Sequence, residues 1–299
     1  MTTSIGRVGL WVTSRHLDMS EPEHHEAVAE IGELGYGALW FGNAPGDLAL
    51  VTDALAASSG PGGDSGGGGD GLVIATGIVN IWMTAPADLA AAYRRVSERY
   101  PDRLLLGLGN SHAPPVEQTG QTYAKPYSKL VAYLDELDGL DTPVPHQDLA
   151  LAALGPRTVA LAGERTAGAH PYLTTPEHTQ HAREILGQGP LLAPEQKVVL
   201  EEEPATARGI ARQTLTRYLE MPNYLNNLRR LGFADTDFPG GGSDRLVDAL
   251  VAWGDLAAIK DRVQAHHDAG ADHVCVQVLS GSTALPRVQW RQLAEALLP

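Results

Sequence analysis

The chain has 299 residues, 43% hydrophobic and 19% charged, a balance that suits a soluble globular enzyme. Its formal net charge of −14 argues against a general binder of nucleic acid or anionic membranes, though a local site can still take a small anion. The single cysteine, Cys275, excludes an internal disulfide, no apolar run approaches the ~20 residues of a membrane span, and the N-terminus has no signal-peptide profile, so a cytoplasmic location is expected.

From the N-terminus, short apolar runs alternate with helical patterns. Arg7–Val12 reads as the first strand, and Ala27, Ile31 and Leu34 form the stripe of the helix after it. Ala38–Gly42 is the second strand. The segment 58–71, dominated by glycine and serine, reads as a flexible linker: it has no GK[ST] ending and does not open a helix. Leu72–Ile81 is the third strand, followed by a helix with Leu89, Ala92, Tyr93 and Val96 at i, i+3, i+4, i+7. Leu104–Gly109 is the fourth, and the stripe Leu130, Tyr133, Leu134 and Leu137 comes next. Asp148–Leu154, Gly168–Leu173, Gln196–Glu201 and His273–Leu279 complete eight strands. Alternating strands and helices imply parallel βαβ units, and eight of them predict an α/β fold: one domain over 1–299, a (β/α)8 TIM barrel. Cys275 lies inside the last strand and reads as an inert core thiol.

In such a barrel the active site lies at the C-terminal ends of the strands. Long excursions follow the fourth strand, at 110–125, and the seventh unit's helix, at 221–244; these are candidate lids or binding loops. Small residues gather at the third, fourth and fifth strand ends, with Trp, His and Tyr nearby, which favours a broad flat ligand. His112 and His170 stand at strand ends as candidate pocket residues. Glu201 ends the seventh strand, where a carboxylate could orient substrate or act as an acid; the alternative is an exposed first-turn glutamate. His24, His25, His266 and His267 read as solvated residues of outer helices. His178 and His181 have metal-like spacing without an evident third ligand, and so read as surface residues.

Several segments together carry a resemblance that covers essentially the whole chain: Ala75-Thr-Gly-Ile-Val-Asn-Ile-Trp, Tyr100-Pro-Asp-Arg-Leu-Leu-Leu-Gly-Leu-Gly-Asn-Ser-His, Gly168-Ala-His-Pro-Tyr, Met221-Pro-Asn-Tyr-Leu-Asn-Asn-Leu and Gly242-Ser-Asp-Arg-Leu-Val-Asp. The chain resembles the luciferase-like (bacterial luciferase) oxidoreductases, and within them the actinobacterial branch that depends on coenzyme F420. The resemblance implies a luciferase-like barrel holding a deazaflavin over the strand ends and passing hydride to or from a small-molecule substrate. It implies a non-prolyl cis peptide at Gly77-Ile78 supporting one face of the ring, with Asn80 at the ring's polar edge. Gly107, Gly109, Asn110 and Ser111 would lie near the cofactor tail. Leu154, Gly155 and Arg157 would meet its phosphate at a helix start; for Arg157 the alternative is a surface ion pair with a carboxylate such as Glu164. Where relatives often carry a carboxylate at the second strand's end, this chain has Asn43, which cannot be a general base and is left as a cofactor contact. His112, His170 or Tyr172 would handle a proton. An FMN-dependent monooxygenase and a barrel that has lost its cofactor are the alternatives, and a homodimer is left open.

Overall fold

The computed structural model describes residues 5–59 and 71–299. The strands are β1 (Val8–Thr13), β2 (Ala38–Gly42), β3 (Val73–Thr76), β4 (Val79–Asn80), β5 (Leu104–Gly109) and β6 (Leu149–Leu151). They continue as β7 (Gly168–Ala169), β8 (Leu191–Leu192), β9 (Glu195–Val199), β10 (Val251–Trp253) and β11 (Val274–Val278). Every pairing among them is parallel. The sheet runs from β11 through β1, β2, β3, β5, β6 and β7 to β8. It then closes on itself, because β8 and β9 are two parts of one strand. Across the join, Ala193 N–H donates to Ala169 O at 2.9 Å, and Glu195 N–H to Pro171 O at 2.9 Å. On the other edge, Cys275 N–H donates to Pro194 O at 3.0 Å. Strand seven is thus flanked by β7 and β11, and the ring is a barrel of the expected (β/α)8 type.

The helices are α1 (Pro22–Glu33), α2 (Ala49–Ser58), α3 (Pro86–Arg99), α4 (Ala113–Glu117), α5 (Pro126–Asp138) and α6 (Pro156–Arg165). After them come α7 (Pro176–Leu186), α8 (Pro204–Tyr218), α9 (Pro222–Arg230), α10 (Asp244–Leu250), α11 (Leu256–Asp268) and α12 (Arg287–Leu297). Proline opens α1, α3, α5, α6, α7, α8 and α9, where its fixed φ suits the first turn and its missing N–H would have had no helical partner. The stripes face inward as their spacing requires: Leu89, Ala92 and Val96 of α3 and Leu130, Tyr133, Leu134 and Leu137 of α5 are buried.

The third apolar run is broken between β3 and β4, and the seventh begins five residues early, at Leu191 instead of Gln196. β10 was not expected: α10 runs into it with no intervening glycine, so the apolar pattern gave no stop signal. Of the glycine-rich segment 58–71, residues 60–70 lie outside the described residues.

Two histidine expectations are corrected. His266 is buried, with Nδ1 accepting from Thr179 Oγ1 (2.8 Å) and Nε2 donating to Gln196 Oε1 (2.9 Å). His178 is also buried, and its Nε2 donates to Leu154 O at 2.9 Å. Both sit where an outer helix meets the barrel, and their partners come from elements far away in sequence. His24 and His25 are half-buried and bond to the backbone oxygens of Asp18 and Met19. Cys275 is buried as expected, and burial pushes its thiol well above the usual range.

Candidate active site at the barrel mouth

The C-terminal strand ends converge on one face. The Gly77-Ile78 bond there is cis, as the resemblance implies. The chain then pairs Val79 with Leu108 and Asn80 with Gly109. Gly77, Ile78, Asn80, Asn110, Ser111, Leu154 and Gly155 are all half-buried, unlike the fully buried strands behind them. They form a wall open to the mouth. Asn110 Oδ1 is buried and has no hydrogen-bond partner among the described residues. Asn43 lies exposed at the rim with φ 56°, its carbonyl accepting from Ser14 Oγ at 3.0 Å. The smallness of Gly107 and Gly109 is used by the chain itself. A Cβ on Gly107 would strike the Thr76 carbonyl, and one on Gly109 would lie 3.0 Å from Ile78 Cγ1 and Ala152 Cβ. These glycines let the β3–β4 break nest against β5.

His112 is half-buried at the start of α4. Its Nδ1 bonds Asn223 Oδ1 at 3.1 Å, an acceptor, so Nδ1 carries the proton and Nε2 keeps a lone pair. Burial lowers its pKa below the ordinary histidine value, so the ring is neutral at pH 7. Its ring packs on Tyr224 at 5.3 Å. Asn223 and Tyr224 belong to α9, so the 221–244 excursion does reach the mouth.

His170 lies deeper, fully buried in the barrel. It stacks on Trp40 at 4.2 Å, donates from Nδ1 to Ala193 O at 2.8 Å, and burial pulls its pKa down to about 4. Tyr172 joins a tyrosine cluster above it, 5.4 Å from Tyr218 and 6.2 Å from Tyr224. Below it the buried Lys197 ammonium lies 3.7 Å from its ring centre and pairs with Glu195 at 2.9 Å. Burial raises the Glu195 pKa and lowers that of Lys197. The Tyr172 hydroxyl is bonded to both Gln277 and Tyr218, and burial drives its pKa well up. Glu201 is not brought to this group: it lines a separate depression beside Gly254 and Asp255, and its Oε1 accepts from Glu203 N at 2.9 Å.

Arg157 points elsewhere too, with its guanidinium 4.0 Å over the Tyr127 ring and no ion pair to Glu164 or any other described residue. A different cation stands at the α6 start: Arg230 Nη2 is 3.8 Å from where a Gly155 Cβ would lie. Arg230 also bonds Asn227 Oδ1 at 3.2 Å. Together with Leu154, His178 and Asn227 it lines a pocket of about 260 Å³, in which His178 Nδ1 and Asn227 Nδ2 have no hydrogen-bond partner among the described residues. Sequence spacing could not reveal this residue, because α9 folds back 75 positions to reach Gly155. The wall thus offers a half-buried surface, an unused acceptor and, in a pocket that Glu184 also lines, a cation at its end. Those features fit a tricyclic ring carrying an anionic tail.

A parallel (β/α)8 barrel with such a mouth defines a class of barrel proteins whose ligands sit over the strand ends. Within that class the chain belongs to the luciferase-like monooxygenase family, whose sequence profile matches residues 7–273. Three solved structures are similar in fold. A coenzyme F420-dependent tetrahydromethanopterin reductase from Methanopyrus kandleri shares 14% identity over 99% of both chains, with a TM-score of 0.74. An F420-dependent secondary alcohol dehydrogenase, in complex with an F420-acetone adduct, shares 14% over 100% of both, at 0.70. The oxygenating component of 3,6-diketocamphane monooxygenase from Pseudomonas putida, in complex with FMN, shares 14% over 97% of this chain and 96% of that one, at 0.59. No sequence among curated proteins matches the chain. Among the described residues no helix is long and apolar enough to cross a membrane.

Proposed function

We propose that the protein is a coenzyme F420-dependent oxidoreductase acting on a small organic substrate. The observation that carries this reading is the half-buried wall from Ile78 and Asn80 to Gly155, ending under Arg230. Two F420-dependent enzymes among the structural neighbours support it. Ile78, Asn80, Asn110 and Ser111 would hold the ring. Leu154, Gly155 and Arg230 would hold the tail phosphate, with Arg157 at the outer edge. A bound deazaflavin supplies a hydride carrier.

His112 takes the proton in this scheme. Asn223 fixes the ring with Nδ1 protonated, which leaves Nε2 free to accept a proton from a substrate hydroxyl, or to return it in the reverse direction. The lowered pKa keeps the accepting form populated at neutral pH. His170 and Tyr172 lie behind it as fixed neutral groups that shape the floor.

The test is an absorbance spectrum of the protein mixed with each cofactor and then desalted. Co-eluting F420 is the expected result. Retention of FMN alone would assign an FMN-dependent monooxygenase instead, and retention of neither would leave a barrel without a cofactor.

A further inference from the structure

Across the mouth from the α6 start, at the ends of β1 and β11, lies a second pocket of about 400 Å³. Its lining includes Arg15, His16, Arg217 and Gln277 but no carboxylate. That is notable in a chain with 36 acidic and 22 basic residues. Among the described residues Arg15 makes no hydrogen bond or ion pair, and Arg217 is hydrogen-bonded only to Tyr218.

The polar groups of this pocket are held from behind. Tyr172 O–H donates to Gln277 Oε1 at 2.9 Å. A hydroxyl has one proton, so Tyr218 O–H must donate to Tyr172 across their 2.8 Å contact. Arg217 in turn donates to the Tyr218 oxygen at 2.8 Å. The donors therefore run in one direction, from Arg217 through the two tyrosines to Gln277. Because Gln277 Oε1 is used as an acceptor, its NH2 remains, and that group donates to no described residue. Gln277 itself is only 8% exposed, so its amide is rigidly placed. Guanidinium and amide donors with no competing carboxylate suit an oxyanion. The pocket also shares Trp11 with the barrel core, where the indole meets Tyr172 at 4.9 Å and flanks Gly77.

We propose that this pocket binds the oxyanion of a small organic acid or phosphate ester, and that it receives the anionic end of the substrate. The second half rests on the oxidoreductase reading; the first does not. The experiment titrates inorganic phosphate and, separately, acetate into the protein at constant ionic strength, following its tryptophan fluorescence, to which Trp11 and Trp290 of the pocket lining contribute. Saturable binding of either anion is expected. Tighter phosphate points to a phosphate ester and tighter acetate to a carboxylate. Arg15→Gln, at an exposed position, should weaken binding about tenfold without unfolding the protein, and Arg217→Gln should do so as well. Absence of saturation by both anions overturns the proposal, as does an affinity that Arg15→Gln leaves unchanged. Cofactor retention is read on the same samples: F420 retained without anion binding sinks this inference alone, whereas anion binding without a retained cofactor sinks the oxidoreductase reading and the substrate role that rests on it, and leaves the anion site standing.

Discussion

At the residue scale, two arginines compete for one role. Arg157 is next to the α6 start in sequence, but it spends its guanidinium on the Tyr127 ring. Arg230 is 75 positions away and stands over Gly155. A charge-assisted hydrogen bond contributes ~1.5–3 kcal/mol, so Arg230→Ala should weaken F420 binding by roughly tenfold to a hundredfold. Arg157→Ala should change it by no more than about threefold, as a cation–π partner at an exposed site. Fluorescence titration of the cofactor separates them, and the reverse ranking would return the phosphate to Arg157. Gly77 gives a second prediction. Its Cβ position points into the barrel, 2.7 Å from Trp11 Nε1 and 2.9 Å from His170 Nε2. A side chain there meets the core before it meets any ligand. Gly77→Ala should therefore cost about 1–3 kcal/mol of stability by overpacking, read as a lower denaturation midpoint; an unshifted midpoint would contradict this packing.

At the scale of elements, the alternation of apolar runs and helical stripes was enough to read the barrel, because each strand is covered on both faces and each helix has one apolar side. The cis bond at Gly77-Ile78 was legible through family resemblance, which also singled out Asn80, Asn110 and Ser111, since their segments are specific in combination. What stayed hidden depends on contacts distant in sequence. His266 and His178 look like solvated polar residues until Gln196 and the Leu154 carbonyl are placed beside them. Arg230, Arg217 and Gln277 enter their pockets only once α8, α9 and β11 are packed together. The connection from α2 to β3 gives a prediction at this scale. Arg103 ties its two ends, donating to Leu72 O at 2.7 Å and Ser58 Oγ at 3.1 Å. These ends meet on the side of the barrel where strands begin, opposite the mouth. Replacing residues 60–70 by a short linker should leave cofactor affinity unchanged within about twofold. A large loss in a folded variant would contradict that placement.

For the whole molecule, acid sensitivity follows from histidines buried in neutral form. Burial lowers the pKa of His170 and His273 to about 4 and that of His266 to about 3. In the unfolded chain each takes a proton near pH ~6.5. Between these values the unfolded state binds more protons, so this stabilisation is fully present above about pH 6.5 and is lost as pH falls toward 3–4. Each such histidine contributes a slope of up to ~1.4 kcal/mol per pH unit in that window. Denaturation free energies measured between pH 7 and 5 should fall with decreasing pH, and His266→Gln should flatten the slope by about one proton. An unchanged slope would mean that His266 is already protonated in the folded protein.

On the proposed reading, the barrel mouth holds a deazaflavin along the wall from Ile78 to Gly155. A crystal structure of the protein with F420 tests it most directly. Density for the ring is expected against Ile78, Asn80 and Asn110, with the phosphate between the α6 start and Arg230. An empty mouth at saturating cofactor, or a ring bound anywhere else on the barrel, would contradict it.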